Sequence, residues 1–564
     1  MANAVRKKLS QIQEILHDTT VPGVRDAISR VNREVNAYSQ RFAKSLPQQP
    51  VTETSGAILD SILANKIVLF GDFHTHKQSQ KEYLRVIEQC MATHPQPMVM
   101  ALECFRACDM EAVDAYMSGM IDDDALHHQI DYHFNWGFPW INYQRVLLFA
   151  RSHRLKVVGI NSPGAGRDRL KIRDQFMAEA IASLHSKQPD ALVFCLVGEF
   201  HLADPHLPLK LKSLGLGPVT RVLVNVDSYH QEYLRQVEFG ASLYLKLKQE
   251  YFCVMNSSPW LKWQSFAIWQ DTRRPMVERT RAEQKDVEGW DLDQELDYDV
   301  DSQFYDLTKV MAQYFQTEFS EFQLTNFHIF YVNEGLGQNQ RLTERFGPKK
   351  LQWLEQRMSY RSCIWDQRSR SLVLSRLNTN VLSEGAGAFL FDLIRPSRRF
   401  LTEDMRFFET LFSAAFAVFC SKVINPQRSF MRLEKLVTRY RASTSKDVLA
   451  NERPLNHVER LVARHLIWLE KQVHLRRLSI RVPQKALFSA NARLHDALAY
   501  RLGQLWGDFI FRLHVKEDID SKELVGWLLP PAKDMAGFMK AYENLALRLF
   551  VDSVPMRDEV TLKR

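Results

Sequence analysis

Lys66-Ile67-Val68-Leu69-Phe70-Gly71-Asp72-Phe73-His74 is the stretch that decides the fold. An unbroken apolar run closed by glycine reads as a strand buried on both faces of a parallel sheet. The pattern returns at Ala191-Leu192-Val193-Phe194-Cys195-Leu196-Val197, which leads into Gly198-Glu199-Phe200-His201. Ligands of open α/β sheets gather at the carboxyl ends of the strands. Two Gly-acid-Phe-His endings, on strands far apart in the chain, therefore mark a candidate site.

Further strands are predicted at 98–103, 156–161 and 221–225, with helical stretches near 78–93, 109–130, 140–153, 167–187 and 205–213. Strand and helix in alternation predict an α/β domain of three layers, with a mainly parallel sheet and a strand-end site. A mostly α-helical C-terminal region follows. The predicted organisation is an N-terminal helical segment at 1–50, the α/β domain at 51–275, an acidic linker at 276–306 and the helical region at 307–564. The aromatic stretch 231–270 predicts a helix running into an extended segment broken at Pro259. Short β-like patches lie at 326–332 and 371–374. Gly385-Ala386-Gly387 lacks the Lys-Ser/Thr of a phosphate loop and reads as close helix packing.

The 564 residues are 45% hydrophobic and 25% charged, as in an ordinary soluble globular protein. Of the net charge of +8, residues 421–564 hold 26 Lys and Arg against 16 Asp and Glu, a net of +10, which leaves residues 1–420 at −2. This basic C-terminal quarter suits an acidic protein partner, an anionic membrane or nucleic acid, or is simply a set of solvated helix faces. It carries no zinc-finger, basic-zipper or RRM signature that would point to nucleic acid. The longest apolar stretch, Leu411–Ile424, is too short to span a bilayer, so no transmembrane segment is predicted. With seven scattered cysteines and neither a signal peptide nor a lipobox in Met1–Thr20, the expected location is cytoplasmic.

The strand ends supply Asp72, His74, Glu103, Asn161, Glu199 and His201, with His76 just beyond the first. A carboxylate ending an apolar strand is costly unless a ligand, a metal or a hydrogen-bond network receives it. Glu103, after Met98–Leu102, is the most telling acid. His74, Glu103 and His201 form the minimum set for a divalent metal ion with an open position. The same three residues suit acid–base catalysis in a hydrolase without a metal.

Asp72-Phe73-His74-Thr75-His76 resembles the first metal motif of PHP phosphoesterases and amidohydrolases, but those barrels need eight strand–helix units and about five strands are predicted. Gly-Asp-x-His resembles the opening of calcineurin-like phosphatases, whose later motifs are missing. A closer resemblance, over residues 60–215, is to the ChaN-like haem-binding proteins of the Tiki/TraB/erythromycin-esterase superfamily. It is carried by both Gly-x-x-His motifs, Gln80, Ala101-Leu102-Glu103-Cys104-Phe105, Asp114-x-Tyr116-x-x-Gly119, Trp140-x-x-Tyr143 and Arg173-Asp174-x-x-Met177-Ala178. The resemblance implies haem or iron binding, or a metal- or His-dependent hydrolase of the Tiki or erythromycin-esterase type at the same residues. Haem needs a Tyr, His, Met or Cys ligand. His76, Tyr132, His133 and Tyr143 are the candidates, with Asn161 and Glu199 as further cofactor-binding residues.

Overall fold

The computed structural model describes residues 4–31, 33–94, 96–162, 169–236, 241–270, 299–332, 340–395, 402–444, 455–474, 492–530 and 535–552. The chain forms two compact units, Ile15–Val300 and Met1–Glu14 with Asp301–Arg564. Most of the predicted acidic linker lies outside the described residues, which resume with the helix Val300–Tyr314.

The first unit is built on eight strands: β1 (Val51–Glu53), β2 (Ile67–Asp72), β3 (Met98–Arg106), β4 (Lys156–Asn161), β5 (Leu192–Gly198), β6 (Thr220–Val224), β7 (Leu243–Lys248) and β8 (Tyr251–Met255). They lie in the order β1-β7-β8-β6-β2-β5-β3-β4. From β8 to β4 every pair is parallel, whereas β1 and β7 add an antiparallel edge. The central strands β2 and β5 are buried throughout. Successive side chains on a strand point to opposite faces. Val68 and Phe70 accordingly join one apolar core beneath the helices Lys77–Thr93 and Trp140–His153, while Ile67 and Leu69 join a second with Met177, Ile181 and Leu211. A sheet with a core on each face is the predicted three-layer α/β architecture.

One stretch differs from its prediction. Residues 243–255 form the antiparallel β7–β8 pair, and helix begins after Pro259 at 260–270. Leu243, Leu245 and Leu247 are buried while Lys246 and Lys248 are exposed, a period of two that outweighs the aromatic spacing.

The second unit is mainly helical, with a three-stranded sheet in the order β10 (Cys363–Asp366), β11 (Ser371–Leu374), β9 (His328–Tyr331). Its core helix, Glu403–Ile424, is apolar enough by length and composition to cross a membrane, but 83% of its most apolar window is buried. Gly387, on the helix Thr379–Ile394, allows that helix to approach: a Cβ there would stand 2.8 Å from Ala417 Cα.

Candidate functional site

β2 delivers Asp72 to the carboxyl edge of the sheet, where its buried carboxylate accepts from three groups. Tyr143 Oη donates at 2.7 Å, Gln80 Nε2 also donates, and His74 Nδ1 lies at 3.0 Å. A carboxylate can only accept, so Nδ1 carries a proton, and in the neutral ring Nε2 keeps its lone pair. The His74 ring stands against Trp136 and Phe138, at centroid distances of 4.6 and 4.5 Å, and lines a cavity. Among the described residues, no group is hydrogen-bonded to its Nε2. At β5 the chain enters a 3-10 turn, Glu199–Leu202, that brings His201 to the same place. Gly198 makes the approach of the two imidazoles feasible, because a Cβ there would meet both His74 and His201 at 3.3 Å.

Glu103 sits on β3 where the register against β4 shifts between Leu102 and Arg106, an irregularity of the kind that re-aims a side chain. Its carboxylate accepts from Gly198 N at 2.6 Å and Arg173 Nη1 at 3.2 Å, and lies 3.5 Å from His201 Nε2. Burial alone would raise this carboxyl, but His201, by charge and hydrogen bond, and the Arg173 guanidinium hold it well below the usual carboxylate range. His201 Nδ1 lies 2.6 Å from Asp174 Oδ1 and 3.1 Å from the Tyr38 phenol, which also donates to Asp174. Burial would lower the His201 pKa, but Glu103 and Asp174 outweigh it and raise it to about 9.

The two motif histidines therefore differ in kind. His74 offers a lone pair, and His201 is an imidazolium held between two acids. His201 should make stability pH-dependent. Its folded pKa lies above the unfolded value, so its contribution is complete below about pH 6.5 and is lost as pH rises through about 9. The shift corresponds to a contribution on the order of 3 kcal/mol. The midpoint of thermal unfolding should fall from about pH 7 to pH 10 in the native protein and fall less in His201→Gln. Parallel falls in the two proteins would show that His201 does not carry the effect.

The cavity has a volume of about 500 Å³, within the range of small-molecule sites. Asp72, His74, Glu103, Glu199 and His201 all line it. The other candidates do not. His76 instead approaches Ser257 and Asn225, and burial with the nearby Lys262, Lys77 and Lys81 lowers its pKa to about 3. Tyr132 donates to the Phe138 carbonyl at 3.0 Å, and His133 lies exposed beside His127. Tyr143 acts from behind, on Asp72. Asn161 accepts from the Ser162 backbone. Among the described residues, no group of three or more His, Cys, Asp or Glu is arranged to hold a metal ion.

Sequence reasoning missed one of the remaining walls and saw the other only as an aromatic stretch, read more readily as a docking core than as a stacking surface for a flat ligand. Tyr38 and Phe42 come from the helix Arg33–Ser45, and Trp263, Phe266 and Trp269 from 260–270. Glu199 is not free: the Lys262 ammonium pairs with it at 2.9 Å and stands 3.8 Å from Asp227. The aromatic content of 231–270 was the one signal for this wall, and period-two alternation before Pro259 would have placed it on a helix behind a strand pair.

With this geometry in view, residues 58–171 match the family described as haem-binding uptake, Tiki superfamily, ChaN. The segment is ChaN-like. The ChaN-like match spans Asp72, His74, Glu103, Trp136 and Tyr143, and ends before Arg173, Asp174 and His201. Comparison with curated proteins and with solved structures finds no match.

Proposed function

We propose that the strand-end cavity of the α/β unit binds haem and that His74 is the protein ligand to its iron. The observation that carries this reading is His74 Nε2. In the neutral ring it bears a lone pair, it has no hydrogen-bond partner among the described residues, and it belongs to a ring that lines an aromatic-walled cavity. The matched family is a haem-binding one, which agrees. His201 does not compete as a ligand, because a protonated imidazole has no lone pair to give. Phe73, Trp136, Phe138, Phe266 and Trp269 would supply the apolar faces for a flat macrocycle.

Haem bound there would supply an iron centre whose behaviour its protein ligand, His74, and the hydrogen bonds to that ligand would tune. Asp72 fixes the tautomer and orientation of His74, and Tyr143 and Gln80 fix Asp72, a supporting layer that metal-bound histidines commonly have. Titrating haem into the purified protein is expected to give a saturable Soret band displaced from that of free haem. A spectrum that stays that of free haem, with unquenched tryptophan fluorescence, rejects the reading.

The Asp72–His74 pair also supports a second reading, hydrolysis. An acid bound to Nδ1 leaves Nε2 free to act as a general base. Turnover of an ester, peptide or phosphoester panel that survives His74→Ala would count against it.

A further inference from the structure

We infer that the cavity selects a ligand carrying carboxylates at its edge, gripped by Arg173 and Arg25 at the rim. The inference rests on the haem reading and specifies which part of the ligand meets which part of the wall. It follows from how charge is distributed with depth. The lining carboxylates Asp72, Glu103, Glu199 and Asp227 all have side chains 9% exposed or less, and Lys262 is equally enclosed. The two arginines of the lining are the more open charges: the Arg173 side chain is 28% exposed and that of Arg25 53%. An anion arriving at this mouth meets two cations and no exposed acid.

Each arginine uses only part of its fork on the protein. Arg173 gives Nη1 to Glu103, and its Nε is buried with no hydrogen-bond partner among the described residues. Arg25 gives Nη2 to Asp227 at 3.0 Å and lays its guanidinium over Trp263, 5.1 Å from the ring centroid. A guanidinium has five N–H donors in a plane suited to a carboxylate, so both keep donors for a ligand. A buried donor left unpaired is costly, and a ligand carboxylate at Arg173 would remove that cost. Trp263, Phe266 and His74 line the same cavity. The wall is thus apolar in its body, cationic at its edge and equipped with a neutral donor inside. A flat macrocyclic acid meets all three demands.

The test uses metal-free protoporphyrin IX and its dimethyl ester, each added to the full-length protein and followed by quenching of the lining tryptophans. Without iron, His74 ligation does not contribute, and the two compounds differ in their carboxylate charges. The acid is expected to bind about 10- to 100-fold more tightly than the ester, the range for hydrogen bonds to charged groups. Arg25→Gln and Arg173→Lys should each narrow that gap. The wild-type comparison stands even if a variant misfolds. Equal binding of acid and ester, or failure of both to bind, overturns the inference, whereas the haem reading, which includes the iron–His74 bond, stands or falls on the Soret titration.

Discussion

Haem added to His74→Ala protein is expected to keep the Soret band of free haem, with an affinity lowered by roughly 100-fold or more. Loss of a supporting group alone costs about 10- to 100-fold in affinity at metal sites, and loss of the ligand should cost at least as much. The alternatives are poorly placed to compensate. His201 is charged between Glu103 and Asp174, and His76 is turned toward Ser257 and Asn225. Asp72→Asn is the informative companion. It keeps the shape but replaces an obligate acceptor at Nδ1 with a group that can donate, so the proton can move to Nε2 and remove the lone pair. Its affinity should fall about 10- to 100-fold, with the spectral signature of histidine ligation weakened. A displaced Soret band and unchanged affinity in His74→Ala would place the iron ligand on another residue.

The central sheet was legible because its strands are unusually plain. β2 and β5 are apolar from end to end and stop at glycine or an acid, so the continuous-run rule finds them without help from context. Glu103 was legible by the same logic, as a charge that an apolar strand would not otherwise carry. The Asp-x-His-x-His spacing was misleading about His76. That residue caps the helix Lys77–Thr93, and the backbone turn sends its side chain away from the cavity.

What the sequence concealed depends on contacts across long separations. Tyr38 lies on a polar helix with no motif, yet its phenol reaches His201, 163 positions along the chain. The charge on His201 likewise depends on Asp174, 27 positions before it and on a different element. Gly-Glu-Phe-His reads identically whether the histidine ends up neutral or protonated. The two repeats look equivalent in the sequence and acquire different chemistry only when Asp72 meets one ring and Glu103 and Asp174 meet the other.

Glu103 is the group on which that difference turns, and removing it should have the largest effect on stability. Its carboxylate satisfies Gly198 N, Arg173 and one face of His201 from a fully enclosed position. Truncating one partner of a buried ionic pair typically costs about 3–5 kcal/mol, because the opposite charge is left without compensation. For a unit of this size Glu103→Ala should therefore lower the unfolding midpoint by roughly 10 °C. Glu103→Gln should cost less, since its amide oxygen can still accept from Gly198 N while the charge is lost. Both substitutions remove a cause of the raised His201 pKa, so its titration, followed by NMR of the ring protons, should move down from about 9 toward the ordinary histidine value. The two readouts separate packing from charge: a cavity alone would lower the midpoint in Glu103→Ala and leave His201 titrating unchanged in Glu103→Gln. An unmoved His201 in both variants would mean that Asp174 holds the proton by itself.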